Sequence, residues 1–299
     1  MPEQTTRRLA FAGTPEVAAR TLESLIDAGY EIVCCVTRDD RRRGRREKPS
    51  PSRVKSVALA HRLPVSSDID AVRTSGAELG VVVAYGQIIP QAVFSVVPFI
   101  NVHFSLLPRW RGAAPIERAI LSGDTTTGVC LMAIEEGLDT GPIYSRREVE
   151  IGDEETADEL RARLGAIGDE MLLELLARPG RLPDPEPQSG EASVATKVSI
   201  EERRLDFTHP AIVLARVVRI GGAWTTFRGR RLIVRRARPH PDVEIPGPPG
   251  AIADNFVRCA EGALELLEVQ SEGRATLAFR AWAAGVRLVA GETLGEERS

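Results

Sequence analysis

The first forty residues contain two short apolar runs separated by a helical pattern, and this order constrains the fold most strongly. Leu9–Pro15 predicts a strand that ends in a tight turn. Glu16–Ala28 has the apolar spacing of an amphipathic helix, and Gly29 follows it as a helix C-cap. Glu31–Thr37 is a second apolar run of strand length. A strand, a helix and a strand in this order predict a parallel sheet.

The turn after the first strand bears on the choice of cofactor. Its sequence, Phe-Ala-Gly-Thr-Pro over residues 11–15, is not Gly-x-Gly-x-x-Gly, and the sequence contains no P-loop. A dinucleotide or a nucleoside triphosphate is usually held at its phosphates by one of these glycine-rich turns. The sequence therefore gives no support for either cofactor.

Later segments extend the predicted sheet. Leu79–Ala84 is a strongly apolar run, as expected of a strand that is buried on both faces of a parallel sheet. Further strands are predicted at Gly128–Ile134 and Gly141–Val149, and a long amphipathic helix at Thr156–Leu176. We therefore predict an α/β fold for residues 1–177, with a Rossmann-like, open, mostly parallel sheet and helices on both faces.

A proline-rich stretch separates this domain from the rest of the chain. Residues 178–192 contain four of the 20 prolines, a composition typical of a semi-rigid linker, and we place the linker at residues 178–206. Beyond it, a helix is predicted at Pro210–Ile220. Short strands divided by glycine and proline follow at Ala223–Phe227, Leu232–Ala237, Ala263–Val269 and Arg274–Phe279. This pattern predicts a small OB-like β-barrel over residues 207–299.

Three polar residues are candidates for catalysis. Asn101 and His103 are two positions apart, so they lie on the same face of an extended strand. Asp139 lies in a turn with Gly137 and Gly141 that could bring its carboxylate to the imidazole. An amide can donate to a developing oxyanion, an imidazole can move a proton near neutral pH, and a carboxylate can orient that imidazole. Because the set contains no Ser or Cys, it favours direct attack by a substrate nucleophile on a carbonyl.

The charge of the chain is unevenly distributed, although the formal net charge is only −3. Residues 38–48 carry a local charge of +4, residues 203–240 carry +9, and the remainder therefore carries −16. Such segregation is typical of a face that binds a polyanion, but a solvated arginine-rich surface would give the same counts. Residues 38–52 are too polar to pack and predict a loop at the active-site edge, which either solubilises the chain or clamps phosphates.

The cysteines and the hydropathy pattern limit the remaining classes. The four cysteines show no C-x-x-C spacing, so we expect buried free thiols and neither a metal site nor a disulfide framework. No apolar run reaches the roughly 18 residues that a membrane span needs. The N-terminus does not have the pattern of a signal peptide, so we expect a cytoplasmic protein.

Three segments together resemble the 10-formyltetrahydrofolate-dependent formyltransferases. They are Asn101–His103, Ser105–Ile116 and Gly137–Gly141. The longer match, which includes the C-terminal half, is similar to the methionyl-tRNA formyltransferases within that group. Phe104 stands where the family often has a small residue, and Gly221 stands in place of the proline of the family's Pro-Gly-Ala-Trp-Thr segment.

The resemblance implies transfer of a formyl group from 10-formyltetrahydrofolate to the methionine of initiator methionyl-tRNA, with no metal ion. It implies that Asn101, His103 and Asp139 are catalytic. The predicted folate contacts are Tyr85, Gly86, Gln87, Ile88, Ser105, Leu106, Leu107 and Pro108. The predicted contacts with the tRNA substrate are Phe11, Gly13, Thr14, Arg41, Arg45 and Lys48. Residues 40–48 match the Asp-Arg-x-x-Gly-Arg-x-x-Lys pattern of a loop that, in the family, inserts against the tRNA acceptor end.

Two other functions remain open from the sequence. The same chemistry could serve a small amine, such as an amino sugar or glycinamide ribonucleotide, but a small acceptor needs neither basic segment. The chain could also be an RNA-binding module on an inactive α/β domain, but the complete Asn, His and Asp set argues against that. We expect a monomer that binds folate and tRNA. We do not expect it to bind a membrane.

Overall fold

A computed structural model describes residues 7–42 and 48–296 of the chain. The chain forms two compact units. The first contains the residues up to Pro115, Thr126–Glu150 and Arg161–Thr196. The second contains Ile116–Thr125, Ile151–Leu160 and the residues from Lys197 onward. Arg45, one of the predicted tRNA contacts, lies outside the described residues.

The elements up to residue 195 alternate strands and helices, as the sequence predicts. In chain order they are β1 (Arg8–Gly13), α1 (Glu16–Asp27), β2 (Glu31–Val36), α2 (Arg53–Ala60), β3 (Val65–Ser66), β4 (Leu79–Val83), α3 (Gln91–Phe94), β5 (Phe99–His103), β6 (Arg111–Gly112), α4 (Pro115–Ser122), β7 (Thr126–Ala133), β8 (Ile143–Glu150), α5 (Ala157–Leu176) and β9 (Val194–Ala195).

The first unit is built on a seven-stranded sheet with the order β3-β2-β1-β4-β5-β7-β8. The strands from β3 to β5 are parallel, whereas β7 and β8 are antiparallel to their neighbours. All five residues of β4 are buried, as expected where both faces of a parallel sheet are covered. The predicted α/β class with an open, mostly parallel sheet is confirmed.

The two faces of β5 have different neighbours. A side chain at Gly168 of α5 would contact Val102, and Phe104 lies near the same point. These apolar residues therefore face α5. Asn101 and His103 alternate with them and face the other side of the sheet. On that side, Leu107, Cys130, Met132 and Ile143 form a small buried apolar cluster.

The second unit contains an antiparallel sheet. Its elements after residue 195 are α6 (Ala211–Arg219), β10 (Trp224–Phe227), β11 (Arg230–His240), β12 (Ile252–Ala253), β13 (Phe256–Arg258), β14 (Ala263–Ser271), β15 (Leu277–Ala278) and α7 (Phe279–Val286). The sheet has the order β10-β11-β14-β13-β12, and β15 also pairs with β14. Among the described strands, β10 and β12 remain at opposite ends of this order, so the predicted barrel is not closed. The number of short strands predicts a β domain, but it does not determine whether the first strand pairs with the last.

Helix α7 occupies a position where the pattern predicts only the end of a strand. Phe279 and Trp282 are three residues apart, so a helix places both on one face, and both are buried in the core of the second unit. The indole Nε1–H of Trp282 donates to Ser271 Oγ at 3.0 Å. Within the described residues, no helix is both long enough and apolar enough to cross a lipid bilayer.

Candidate active site

Strand β5 presents Asn101 and His103 on one face of the sheet, and Asp139 lies between them. The amide Nδ2 of Asn101 donates to Asp139 Oδ1 at 3.4 Å. The ring Nδ1 of His103 lies 3.6 Å from Asp139 Oδ2. The side chains of His103 and Asp139 are only 6% and 14% exposed, so water screens the three groups weakly. The structure thus brings together the three residues that the sequence predicts to be catalytic.

The loop with Asp139 reaches β5 across the face of the sheet. Strand β7 runs antiparallel to β5, with Cys130 opposite His103 and Ala133 opposite Ile100. The loop after β7 therefore starts beside the beginning of β5, and it must turn back along the strand to bring Asp139 to His103. Gly141 permits this return, because a Cβ atom there would lie 1.9 Å from the carbonyl oxygen of Ala133.

The backbone also fixes Asp139. Its φ angle is 51°, in the left-handed region that non-glycine residues rarely adopt. The backbone N–H of Gly112 donates to Asp139 Oδ2 at 2.8 Å. Each carboxylate oxygen therefore accepts a hydrogen bond, and Oδ2 also faces the imidazole. A carboxylate held in this way can orient the neighbouring imidazole.

The other ring nitrogen of His103 contacts the chain just after the strand. His103 Nε2 lies 2.9 Å from the carbonyl oxygen of Trp110. A carbonyl oxygen only accepts, so Nε2 carries a proton in this contact. Ser105 Oγ donates to the carbonyl oxygen of Arg109 at 2.6 Å, which helps to fold the segment that presents Trp110.

The nearest cysteine is unsuited to covalent catalysis. Cys130 lies opposite His103 on β7 and is completely buried. Burial raises the pKa of the Cys130 thiol above its ordinary value, so the nucleophilic thiolate is disfavoured. In the part of the chain that the structure describes, no group of His, Cys, Asp and Glu residues could hold a metal ion.

The predicted folate contacts fall into two sets. Ser105, Leu107 and Pro108 are buried just after β5, and Leu106 is partly buried. Gly86, Gln87 and Ile88 are exposed in the loop after β4, the strand next to β5, and Ile88 is 86% exposed. Tyr85 is instead buried beneath this loop, and burial raises the pKa of its phenol. An exposed apolar side chain next to exposed glycine backbone fits a flat heteroaromatic ring.

The predicted tRNA contacts on β1 lie mostly inside the sheet. Phe11 lies on a strand in the interior of the sheet order and its side chain is 0% exposed, which argues against contact of that side chain with tRNA. Gly13 ends β1 where a Cβ atom would lie 2.6 Å from that of Ala18 and 2.8 Å from the carbonyl oxygen of Val83, so this position requires glycine for packing. Thr14 is partly exposed and donates to the carbonyl oxygen of Tyr85 at 3.5 Å. Alternation alone does not reveal that a strand is covered on both faces.

The predicted basic loop leaves the sheet after β2. Arg41 and Ser50 pair through two backbone hydrogen bonds of 3.2 and 3.0 Å, which close the base of the loop. Lys55 Nζ donates to Asp40 Oδ1 at 2.8 Å and ties the same base to α2. Arg41 and Lys48 are both exposed, so their charges are available to a ligand.

The arginines of the second unit divide into engaged and exposed groups. Arg228 pairs with Glu292 at 2.5 Å, and Arg238 pairs with Glu154 at 2.6 Å. A cleft of about 960 Å³ is lined by Arg228, Arg230, Arg231 and Arg274 together with apolar residues. The guanidinium of Arg231 lies 4.3 Å above the ring of Trp224. This face of the unit is therefore basic and partly apolar, as is common in RNA-binding surfaces.

Three residues of the predicted linker, residues 178–206, contact the site, although the sequence gives no signal for them. Gln188 Nε2 donates to the carbonyl oxygens of Asp139 and Gly141, each at 2.8 Å. Ser193 Oγ accepts from the backbone N–H of Trp110 at 2.9 Å. Ala195 pairs with Gly112 where β9 meets β6. The composition of the segment does not indicate these contacts. They join residues that are distant along the chain, which a local pattern cannot reveal.

Comparison with protein families identifies the group to which this site belongs. The formyl transferase family matches residues 7–176, and the formyl transferase C-terminal domain matches residues 197–287. The chain belongs to the formyl transferase family.

Curated members of the family are similar along the whole chain. The chain is 41% identical to the methionyl-tRNA formyltransferase of Solibacter usitatus, over 97% of this chain and 99% of that protein. It is 42% identical to the methionyl-tRNA formyltransferase of Thiobacillus denitrificans, over 96% of this chain and 99% of that protein.

Several solved structures share the fold at low sequence identity. The methionyl-tRNA formyltransferase from Clostridium thermocellum has a TM-score of 0.58 at 19% identity, with 78% of this chain and 93% of that chain covered. The sugar 3N-formyl transferase WlaRD, solved with dTDP and 5-N-formyl-THF, has a TM-score of 0.66 at 15% identity, with coverage of 90% and 99%. HypX from Aquifex aeolicus, solved with tetrahydrofolic acid, has a TM-score of 0.64 at 16% identity, with coverage of 96% and 48%.

Proposed function

We propose that the protein transfers a formyl group from 10-formyltetrahydrofolate to the α-amine of methionine on initiator methionyl-tRNA. The observation that carries the chemistry is the convergence of Asn101, His103 and Asp139 at 3.4 and 3.6 Å. The identity of about 41% to methionyl-tRNA formyltransferases over nearly the full length supports the choice of acceptor.

Asn101 and His103 stabilise the negative charge that develops on the formyl oxygen. The neutral α-amine attacks the formyl carbon, the bond from that carbon to N10 of the folate breaks, and the amine proton finally resides on N10. Asn101 donates from its amide, and protonated His103 supplies a positive charge. Because Nε2 of His103 donates to Trp110 and Nδ1 faces Asp139, a held water rather than a ring nitrogen delivers the proton to N10. Asp139 holds the imidazole through the contact of 3.6 Å.

The two sets of predicted folate contacts receive the donor in this proposal. The loop of Gly86, Gln87 and Ile88 offers exposed backbone and an apolar side chain beside the catalytic strand. Backbone N–H and C=O groups in such a loop can pair with the polar edge of a pterin. Ser105–Pro108 forms the wall behind the reacting carbon.

Basic residues receive the tRNA. Arg41 and Lys48 stand exposed on the loop after β2, and the second unit exposes a further group of arginines. Cationic side chains neutralise phosphates and supply affinity that falls as salt is added. A small amine would need neither group, so their presence favours the tRNA acceptor.

Mass spectrometry of reaction products tests this function. The protein is mixed with 10-formyltetrahydrofolate and, separately, with initiator methionyl-tRNA, elongator methionyl-tRNA, initiator tRNA charged with another amino acid, and an amino sugar nucleotide. We expect the mass of one carbonyl to be added to methionine on initiator tRNA. Transfer to the amino sugar alone would contradict the proposed acceptor, and no transfer to any amine would contradict the proposed chemistry.

A further inference from the structure

The side chain of Gln188 uses all its hydrogen-bonding groups next to the catalytic residues. Its Nε2 donates to the carbonyl oxygens of Asp139 and Gly141, both at 2.8 Å. Its Oε1 accepts from Nε and Nη2 of Arg111 at 3.1 and 2.7 Å. One amide thus joins the loop with Asp139 to the short strand β6.

Asp139 needs such support because its surroundings on the loop are open. Residues 135–138 and residue 140 are exposed, so little apolar packing holds this loop in place. Asp139 itself has a φ angle of 51°, and a non-glycine residue keeps such an angle only when its neighbours fix it. The two donors of Gln188 fix the carbonyl of this residue and that of Gly141 two positions later.

The contacts close a ring that orients the carboxylate. Gln188 connects the carbonyl of Asp139 to the side chain of Arg111, and the next backbone N–H, that of Gly112, donates to Asp139 Oδ2 at 2.8 Å. The carbonyl and the carboxylate of one residue are therefore held against the same two-residue strand. A shift of this ring would move Oδ2 relative to His103 Nδ1.

We propose that Gln188 is a positioning residue that holds Asp139 against His103 during formyl transfer. The inference rests on the proposed function, because Asp139 has a catalytic role only if that function is correct. Only an amide satisfies this site, since it must donate twice and accept from a guanidinium. A glutamate has the same shape and can still accept from Arg111, but it would direct an oxygen at two carbonyl oxygens.

The test compares Gln188→Glu with a matched substitution. Gln270→Glu is the control, because Gln270 also accepts from an arginine, Arg235, and donates to a backbone carbonyl, that of Arg274 at 2.6 Å, but lies in the second unit. We expect Gln188→Glu to lower kcat by about 10- to 100-fold and to change KM for 10-formyltetrahydrofolate by less than about threefold. At saturating tRNA, we expect Gln270→Glu to keep the wild-type kcat and the wild-type KM for 10-formyltetrahydrofolate.

A double-mutant cycle separates positioning from general support of the fold. If Gln188 acts through Asp139, Gln188→Glu should cost less than about threefold in kcat when Asp139 is already alanine. An equal loss in both backgrounds would overturn the proposal, and so would wild-type kcat in the single variant. If Gln188→Glu does not fold, as judged by circular dichroism, Gln188→Met takes its place with the same expected outcomes. If the wild-type protein is active and the Gln188 variants are unaffected, only this inference is wrong. If the wild-type protein formylates no amine, the proposed function is wrong as well.

Discussion

His103 donates from Nε2 to the carbonyl oxygen of Trp110 at 2.9 Å, which leaves Nδ1 facing Oδ2 of Asp139 at 3.6 Å. Both ring nitrogens thus face oxygen atoms that accept hydrogen bonds. A neutral imidazole can satisfy only one of them, whereas an imidazolium can donate to both. The contacts of both nitrogens therefore fix the orientation of the ring beside Asp139.

Alanine at Asn101 or at His103 should lower kcat. Each change removes a group that stabilises the developing oxyanion, and loss of one such donor typically costs about 10²–10³ in rate. Binding of the folate should change little, because the proposed folate contacts lie on other segments. Steady-state kinetics of formyl transfer and fluorescence titration with folate measure the two effects. Near-normal turnover in either variant would refute the mechanism.

The position of Asn101 and His103 could be predicted because strand periodicity is local. Two residues at i and i+2 share a face, and the structure places both next to Asp139. The support from Gln188 could not be predicted, because it depends on contacts 47 and 49 positions apart along the chain. The complete burial of Phe11 could not be predicted either, since it depends on what covers the faces of the sheet, which strand periodicity does not reveal.

Arg41→Ala should weaken use of tRNA and leave folate binding unchanged. Arg41 is exposed beside the bridge to Ser50, where its charge can contact a phosphate. Loss of one charge-assisted contact should raise KM for tRNA about tenfold. The slope of the logarithm of tRNA affinity against the logarithm of salt concentration should fall by about one. Kinetics at several salt concentrations measure both effects.

Arg73→Ala is the matched control for Arg41→Ala. Arg73 is an exposed arginine of the same unit that pairs with Asp70 at 3.1 Å. It lies in the segment between β3 and β4, and none of the predicted tRNA contacts lies in that segment. Its removal should not alter the salt dependence. Equal effects of the two variants, or an equal effect of Arg41→Ala on a small aminoacyl mimic, would contradict the role of the loop.

Glu202→Gln should reduce stability at neutral pH and have less effect in acid. Arg118 donates to Glu202 at 2.6 Å, and the backbone N–H of Ser199 donates at 2.9 Å. These contacts lower the pKa of Glu202 to about 2 from an ordinary value of 4.5. Because the pKa of Glu202 is lower in the folded state than in the unfolded state, the ionised carboxylate stabilises the folded state fully at pH values above about 4.5. This contribution to the free energy of unfolding is lost as the pH falls from 4.5 towards 2. Because the carboxylate is partly exposed, we expect a difference of about 1 kcal/mol at pH 7.

Urea unfolding at pH 7 and at pH 3 measures the effect of Glu202→Gln. Glu201→Gln removes the same charge one position earlier and serves as the control. The difference in free energy of unfolding between the wild-type protein and Glu202→Gln should be smaller at pH 3 than at pH 7. A gap that is constant with pH would show that the ionised carboxylate does not stabilise this unit.

Gly141→Ala and Gly285→Ala should have effects of opposite sign. A Cβ atom at Gly141 would lie 1.9 Å from the carbonyl oxygen of Ala133, so the backbone must shift, at a cost of roughly 1–3 kcal/mol. The shift also displaces Asp139, so kcat should fall together with the melting temperature. At Gly285, in α7, a Cβ atom meets no atom within 4 Å, and alanine should stabilise the helix by roughly 0.5–1 kcal/mol with no change in kcat. Calorimetry measures the melting temperature of both variants, and formyl-transfer kinetics measure their kcat. A Gly141→Ala protein with the wild-type melting temperature and the wild-type kcat would show that the loop tolerates displacement.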